Sequence, residues 1–346
     1  MRAEDDFDPW TQLPPPADVV QSTFNLSVIE GVQPLDAQFG LQTPKTVPEA
    51  LYSTLFGAKD SPKKATQTAD SVPLLNTYAV IDAAKVTNLD ECLEASGLEH
   101  RCLFKGAAYE DMKDVAPCIV RLEEDSSFTR DLFTCSDSPQ HLWKKRPGIF
   151  IHSQGSLSEI WEHLRRFTRV QDDAGKWYYF RFWEPYVLYG LAAHALPVAN
   201  QICAPLHSVL APLDMHTAGH VINLSPTTKR SERCVLLKET QSVLSKIRQH
   251  QVLVDIAETI LLDGQVAPPS LDWPKQRDRL VNWGTHARQT YGLCKRKSLH
   301  SYLMIRNAMP HAFDDPALRT NEILLSQTTE ADKLTMLINH LRTVGE

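Results

Sequence analysis

Residues 147–188, PGIFIHSQGSLSEIWEHLRRFTRVQDDAGKWYYFRFWEPYVL, decide the fold. Ile149, Phe150 and Ile151 form an apolar run without alternation, the pattern of a strand buried on both faces, and Gly155 opens the turn after it. Ser156 and Glu159 have the spacing of a capping box, in which the hydroxyl takes an orphan backbone N–H and the carboxylate reaches back to the cap. A helix is therefore expected at once. Ile160, Trp161, Leu164 and Phe167 share one face of it as core, and Glu162 stands one turn before Arg166 in the favourable order for an ion pair. Arg165, Arg166 and Arg169 are left toward water or a partner. Asp172, Asp173, Ala174 and Gly175 supply turn chemistry. Residues 176–183 then read as an aromatic strand, with Trp177, Tyr179, Arg181 and Trp183 on one side and Tyr178, Phe180 and Phe182 on the other. Pro185 suits the first turn of a further helix, because the N–H it lacks would have had no partner there.

Outward from this stretch, residues 78–81 (YAVI) repeat the buried-strand pattern and Asp82 closes it. Asn88 and Glu91 have capping spacing for a helix that Gly97 ends, and residues 101–104 (RCLF) read as the next strand. Strand, helix and strand at this spacing suggest a βαβ-like unit. Residues 118–122 (CIVRL) read as a third strand and residues 128–133 as a short helix. Beyond Ser225 the texture is helical: a long segment over 237–262, a helix from Asp272 that Gly292 stops, one capped by Ser298, and a last one capped by Thr329 and Asp332. The last carries a stripe of Leu334, Leu337, Ile338 and Leu341. The expected fold class is α/β, a mixed sheet flanked by helices in an N-terminal lobe, followed by an all-α C-terminal lobe. The expected organisation is a proline-rich extended arm and linker over residues 1–72, an α/β lobe over 73–224 and a helical lobe over 225–346. Within the arm, residues 48–57 (PEALYSTLFG) read as a short helix, and Val28, Ile29, Val32 and Leu35 are among the residues that could pin it to a body.

The totals bound the function. At 346 residues, 42% hydrophobic and 23% charged, the chain is long enough for two domains with a sizeable core. A formal net charge of −6 argues against a general nucleic-acid binder, which needs a basic surplus to neutralise phosphates. Seven widely spread cysteines with no C-x-x-C pair read as reduced thiols in a cytosol. The N-terminus, MRAEDDFDPW, lacks the basic start and apolar run of a secretory signal. Residues 185–213 carry no formal charge, which is long enough to span a bilayer, but Pro197, Pro205, His194 and His207 interrupt the run and buried helices are expected instead of a membrane span.

Candidate chemistry is sparse. Gly175-Lys176 lacks the upstream glycine and following hydroxyl of a phosphate loop, and neither G-x-G-x-x-G nor G-x-S-x-G occurs. His216 and His220 (HTAGH) have the i, i+4 spacing that lets two imidazoles share a metal on a helix, with His207 nearby; this is the basis of an alternative reading as a metal-dependent hydrolase. Thr217 stands where the catalytic version carries glutamate, and Gly219 weakens the helix. His152 beside Ser153 does not make a nucleophile and base, since strand neighbours face opposite ways. Arg165, Arg166, Arg169 and Arg181, with Trp177, Tyr179 and Trp183, mix basic and aromatic groups. Such a mixture packs and pairs internally, forms a protein interface, or serves as a single-stranded nucleic-acid platform.

The succession YAVIDAA (78–84), CLFKG (102–106), DVAPCIVRL (114–122), GIFIHS (148–153), SLSEIWEHLRRF (156–167) and YFRFWEPYVL (179–188) resembles the adaptor, or effector chaperone, family of bacterial type VI secretion systems. The resemblance covers residues 77 to about 215, with ARQTYGL (287–293) and SYLMIRNAMPHAFDDPAL (301–318) similar to the family's more variable C-terminal part. It implies a cytoplasmic protein, not an enzyme and without cofactor or metal, that binds a toxic effector as cargo and helps to load it onto the spike tip protein for delivery. No nucleic acid is implied as a partner. Family genes typically lie between those of spike and effector. The chain departs where the family commonly has Asp-Pro-Arg, carrying Glu184-Pro185-Tyr186, and where it often has an aromatic, carrying Cys118. Glu184 keeps the acid and is expected to pair with Arg181 or Arg166. The interface candidates are Arg165, Arg166, Arg169, Arg181, Trp183 and Glu184. Cargo binding is further expected to leave apolar helix faces of the C-terminal lobe incompletely buried.

Overall fold

The computed structural model describes residues 24–57, 75–214, 219–226, 235–262 and 273–344. In chain order the first part runs β1 (Phe24–Val32), α1 (Glu49–Leu55), β2 (Asn76–Asp82), α2 (Leu89–Ser96), β3 (His100–Cys102), α3 (Ala107–Met112), β4 (Pro117–Arg121) and α4 (Ser127–Phe133). There follow β5 (Gly148–Ser153), α5 (Leu157–Leu164), β6 (Arg169–Asp172), β7 (Trp177–Tyr179), α6 (Pro185–His194), α7 (Leu196–Cys203), β8 (Ser208–Asp214), β9 (Gly219–Pro226) and β10 (Val235–Leu236). The rest is helical: α8 (Lys238–Leu262), α9 (Trp273–Tyr291), α10 (Arg296–Ala308), α11 (His311–Asp314), α12 (Thr320–Leu325) and α13 (Glu330–Val344). Two compact units divide between Leu244 and Ser245, inside α8. The fold is thus α/β followed by an all-helical region, as the hydrophobic pattern requires.

In the first unit a seven-stranded sheet has the order β1-β9-β8-β5-β2-β4-β3, and every neighbouring pair is antiparallel. Its centre is the β2–β5 pair, where Val80 lies opposite Ile149 and Tyr78 opposite Ile151. Tyr78, Val80, Ile149 and Ile151 point to one face, where they meet Ile160 and Trp161 of α5, Leu191 of α6 and Ile202 of α7. Ala79, Ile81 and Phe150 point to the other, where they meet Leu51 of α1, Leu93 of α2, Phe133 of α4 and the buried Trp143. Both faces are covered, so neither strand alternates in sequence. Such runs are commoner in parallel sheets; here helices cover both sides of an antiparallel one. Each fully buried aliphatic side chain contributes roughly 1.5–3 kcal/mol.

Gly148 starts β5 because nothing larger fits: a Cβ there would lie 1.7 Å from the Val80 carbonyl oxygen. The capping box of α5 forms as expected, with Ser156 Oγ accepting from Glu159 N–H at 3.3 Å and Glu159 Oε2 accepting from Ser156 N–H at 2.8 Å. The helix then tightens into a 3-10 turn over Arg165–Phe167. The β6–β7 hairpin turns where Asp172 Oδ1 accepts from the N–H groups of Ala174 and Lys176, with Gly175 at φ +81.

Other expectations need correction. The aromatic strand stops at Tyr179, and Phe180, Phe182 and Trp183 are all buried, so alternation fails where the chain leaves the sheet for α6. Within the uncharged run, the expected buried helices are α6 and α7, but its last part is β8, which pairs with β5 and β9. Asn88 adopts a left-handed backbone and its side chain makes no cap, while Gly97, also left-handed, ends α2 as expected. The βαβ-like unit is split: β2 and β3 both run antiparallel to β4, which lies between them. Phe24–Val32, inside the proline-rich stretch, is the edge strand beside β9, and β10 adds a two-residue strand beyond Ser225, parallel to β6.

In the helical unit, Gly284 of α9 permits close approach to α8, since a Cβ there would lie 2.5 Å from Leu253 Cδ2. Tyr291, Tyr302 and Phe313 stack edge to face in its core. Thr329 Oγ1 accepts from Asp332 N–H at 3.2 Å, the expected cap of α13. Leu334, Leu337 and Leu341 of that helix are buried and Ile338 is half-buried, while Leu262, Leu325 and Met336 of the helical unit are exposed apolar side chains. Among the described residues, no helix is long and apolar enough to cross a membrane.

Candidate functional site

Two groups of charged residues emerge from residues 147–188, and they differ in kind. The first is an ionic knot at the end of β2. Asp82, only 1% exposed, receives the Arg181 guanidinium, and Arg181 also binds Glu184 Oε1 at 2.9 Å. Lys85 Nζ completes the knot on Glu184 Oε2 at 2.6 Å and donates to the Arg146 carbonyl at 3.1 Å. The Asp82 N–H donates to the Pro147 carbonyl at 2.8 Å, and Asp82 Oδ1 accepts from Ala84 N–H at 3.0 Å. These bonds tie the exit of β2, the entry to β5 and the N-terminus of α6 together. A carboxylate taken out of water needs such pairing. Tyr186, where the family resemblance leads one to expect arginine, lies with its ring 5.5 Å from the Arg146 guanidinium carbon and donates its hydroxyl to the Leu213 carbonyl at 2.8 Å. Arg181 and Glu184 are therefore held by the fold itself, and Glu184 pairs with Arg181 as expected. Trp183 is 2% exposed and packs in the core beside Phe182, which removes it from any surface contact.

The second group is on the surface. Trp161, in the core through most of its ring, donates Nε1–H to the Cys102 carbonyl at 2.6 Å, which joins α5 to edge strand β3. Two guanidiniums lie over its ring: Arg101 of β3 with its carbon 3.5 Å from the centroid, and Arg165 at 4.8 Å. Phe104, just past β3, meets Tyr179 of β7 at 5.8 Å between centroids. Arg169 of β6 lies 5.7 Å from the Tyr179 ring and 5.1 Å from the Trp177 ring. Trp177 and Tyr179 are 49% and 52% exposed. The result is two sets of contacts, Arg101 and Arg165 on Trp161, and Phe104 and Arg169 on Tyr179 with Arg169 also on Trp177. Arg101, Arg165 and Arg169 make no ion pair among the described residues. Arginines stacked on rings keep their guanidinium edges free to donate in-plane to carboxylates or other anions.

Arg166 belongs to neither group. Its NH2 donates to His163 Nδ1 at 2.8 Å, and His163 Nε2 then donates to the Ile202 carbonyl at 2.8 Å. Burial, with the nearby Arg166 charge adding to it, lowers the His163 pKa, so this imidazole stays neutral as a link between α5 and α7. The histidines of the hydrolase reading do not share a helix: His220 lies in strand β9, His207 is exposed just before β8, and His216 falls outside the described residues. His152 hydrogen-bonds Ser208 Oγ at 3.1 Å across the β5–β8 pair rather than Ser153.

Sequence reasoning missed Arg101 and Phe104, which entered only as parts of a strand. The available signal was that Arg101 and Leu103 alternate with Cys102 on a short edge strand, which sends the arginine to the α5 side of the sheet. No curated protein and no solved structure matches this chain. Residues 77–198, which include β2 to α6 and so both charged groups, match the family model described as Domain of unknown function (DUF4123).

Proposed function

We propose that the chain is an adaptor that binds a type VI secretion effector in the bacterial cytoplasm and helps to load it onto the spike tip protein, with no chemical step of its own. The carrying observation is the surface formed by Arg101, Arg165, Arg169, Trp177 and Tyr179, in which three cations without carboxylate partners among the described residues lie on aromatic rings at one edge of the sheet. Exposed tryptophan, tyrosine and arginine are the residues that dominate binding energy in protein interfaces. The match to DUF4123 and the motif succession over residues 78–188 are compatible with the adaptor role. The cargo is expected to present carboxylates to the three arginines.

The experiment is co-purification of the full chain with the product of the effector gene beside its own, at low and at high salt. A stable complex that weakens as salt rises supports the reading. Absence of a complex under both conditions overturns it.

A further inference from the structure

Cys102 and Cys118 are directly opposite each other on β3 and β4. The backbone bonds fix which kind of position this is. Leu103 N–H donates to the Pro117 carbonyl and Arg121 N–H to the Glu99 carbonyl, both at 2.8 Å, so the pairs 103/117 and 99/121 are the hydrogen-bonded ones. By alternation, 102/118 is a non-hydrogen-bonded pair, the kind whose Cα atoms are about 4.5 Å apart and whose side chains lie closest. That separation is at the short end of the range of about 4.4–6.8 Å that a disulfide spans. Phe104 N–H donates to Cys102 Sγ at 3.3 Å, and Cys118 Sγ donates to Asp90 Oδ1 of α2 at 3.6 Å. Cys118 is buried and Cys102 is partly exposed, so one sulfur is open to a small oxidant and the other is sheltered behind it.

We infer that Cys102 and Cys118 form a redox-modification site, in which hydrogen peroxide oxidises Cys102 and Cys118 resolves the product into a cross-strand disulfide. In the first step the Cys102 thiolate attacks one peroxide oxygen, the O–O bond breaks, and hydroxide leaves as water after taking a proton. This gives Cys102 sulfenic acid. In the second, Asp90 accepts the Cys118 thiol proton, Cys118 Sγ attacks Cys102 Sγ, the S–O bond breaks, and the hydroxide leaves as water once that proton is passed on to it. Over both steps the dithiol loses two electrons and two protons, and the peroxide is reduced to two waters. The neighbouring Cys118 thiol holds the Cys102 thiol below its ordinary range, with the Phe104 N–H adding to it. The neighbouring Cys102 and burial push the Cys118 thiol up. Thus attacking and resolving sulfurs are already distinguished.

The neighbouring peptide makes the site consequential. Cys102 lends its carbonyl to Trp161, and Arg101 beside it lies on that ring, so a disulfide at 102/118 would fasten the strand that carries part of the surface described above. The bond itself is expected to be strained and readily reduced, given the short span.

The test is treatment of the full reduced chain with hydrogen peroxide, followed by alkylation under denaturing conditions and peptide mass spectrometry. A linked 102/118 peptide, lighter by two hydrogens and restored by dithiothreitol, is expected to form about tenfold faster than oxidation of the exposed Cys92 or Cys294. Cys118→Ser, once shown by circular dichroism to be folded, is expected to stop at a dimedone-reactive sulfenic acid on Cys102. Asp90→Asn is expected to slow linkage without slowing sulfenic-acid formation. Oxidation of Cys92 and Cys294 ahead of any 102/118 link, or Cys102 passing to sulfinic acid with Cys118 free, would overturn the inference.

Discussion

Arg181, in the segment leading to α6, binds the buried carboxylate of Asp82 at the end of β2, ninety-nine residues earlier in sequence. An arginine that read as part of an interface is thereby joined to the end of a central strand for a structural reason. Removing the guanidinium leaves a charge in the core with no counter-ion. Arg181→Met is expected to cost about 2–3 kcal/mol, less than the roughly 3–5 kcal/mol of a fully buried pair, because the Arg181 side chain is 43% exposed and screened. Asp82→Asn in the same chain is expected to recover part of that loss. Urea unfolding of the two variants checks both values; a double variant less stable than Arg181→Met alone would contradict the reading.

Gly148 supplies a sharper packing prediction. With Val80 O at 1.7 Å from the position of a Cβ, Gly148→Ala forces β5 away from β2 at the centre of the sheet, an expected loss of about 3 kcal/mol or more. Gly175→Ala meets open space and bears only the strain of its positive φ, about 1–2 kcal/mol. Thermal melts should therefore rank Gly148→Ala well below Gly175→Ala.

His152 gives stability a pH dependence. Burial, opposed by a backbone hydrogen bond at Leu55, lowers its pKa from 6.5 to about 4. The unfolded chain binds this proton more readily than the folded one, so the contribution is fully present above pH 6.5 and is lost as pH falls toward 4. Its size is about 3 kcal/mol across that window. In His152→Gln the slope of unfolding free energy against pH between about 6.5 and 4 should be shallower than in the parent; an unchanged slope would show that another group sets it.

Trp177 and Tyr179 separate binding from folding. Each is about half exposed and bears on Arg169, so Trp177→Ala should change stability by no more than about 1 kcal/mol, the worth of an exposed cation–π contact. Its effect on affinity for the effector should be at least about tenfold, the size of an interface hot spot. Melting temperature and a binding titration on the same preparation distinguish the two.

Much of the first unit was legible because local signals agreed. Ser156 and Glu159 fixed the start of α5, the apolar runs at residues 78–81 and 149–151 marked the two central strands, and Gly97 stopped α2. Strands β1, β8 and β9 were missed. The partner of β1 and one partner each of β8 and β9 are distant in sequence, and an uncharged run such as residues 185–213 looks the same whether it folds as helix or as a strand covered on both sides. The site divided likewise. Arginines were found by composition, but whether each met a carboxylate, a ring or a histidine depended on β3 and β4 coming alongside α5, which spacing does not report. Trp183 shows the limit: alternation put it on the side of Trp177 and Tyr179, which are exposed, and the turn into α6 placed it in the core.

The most direct measurement of the adaptor reading is the affinity of the folded full chain for the neighbouring effector, by calorimetric titration, before and after reversing two of the ring-stacked cations. Arg165→Glu with Arg169→Glu should weaken binding by at least about a hundredfold, as expected when like charges replace complementary ones, while circular dichroism stays that of the parent. Unchanged affinity in a folded double variant would contradict it.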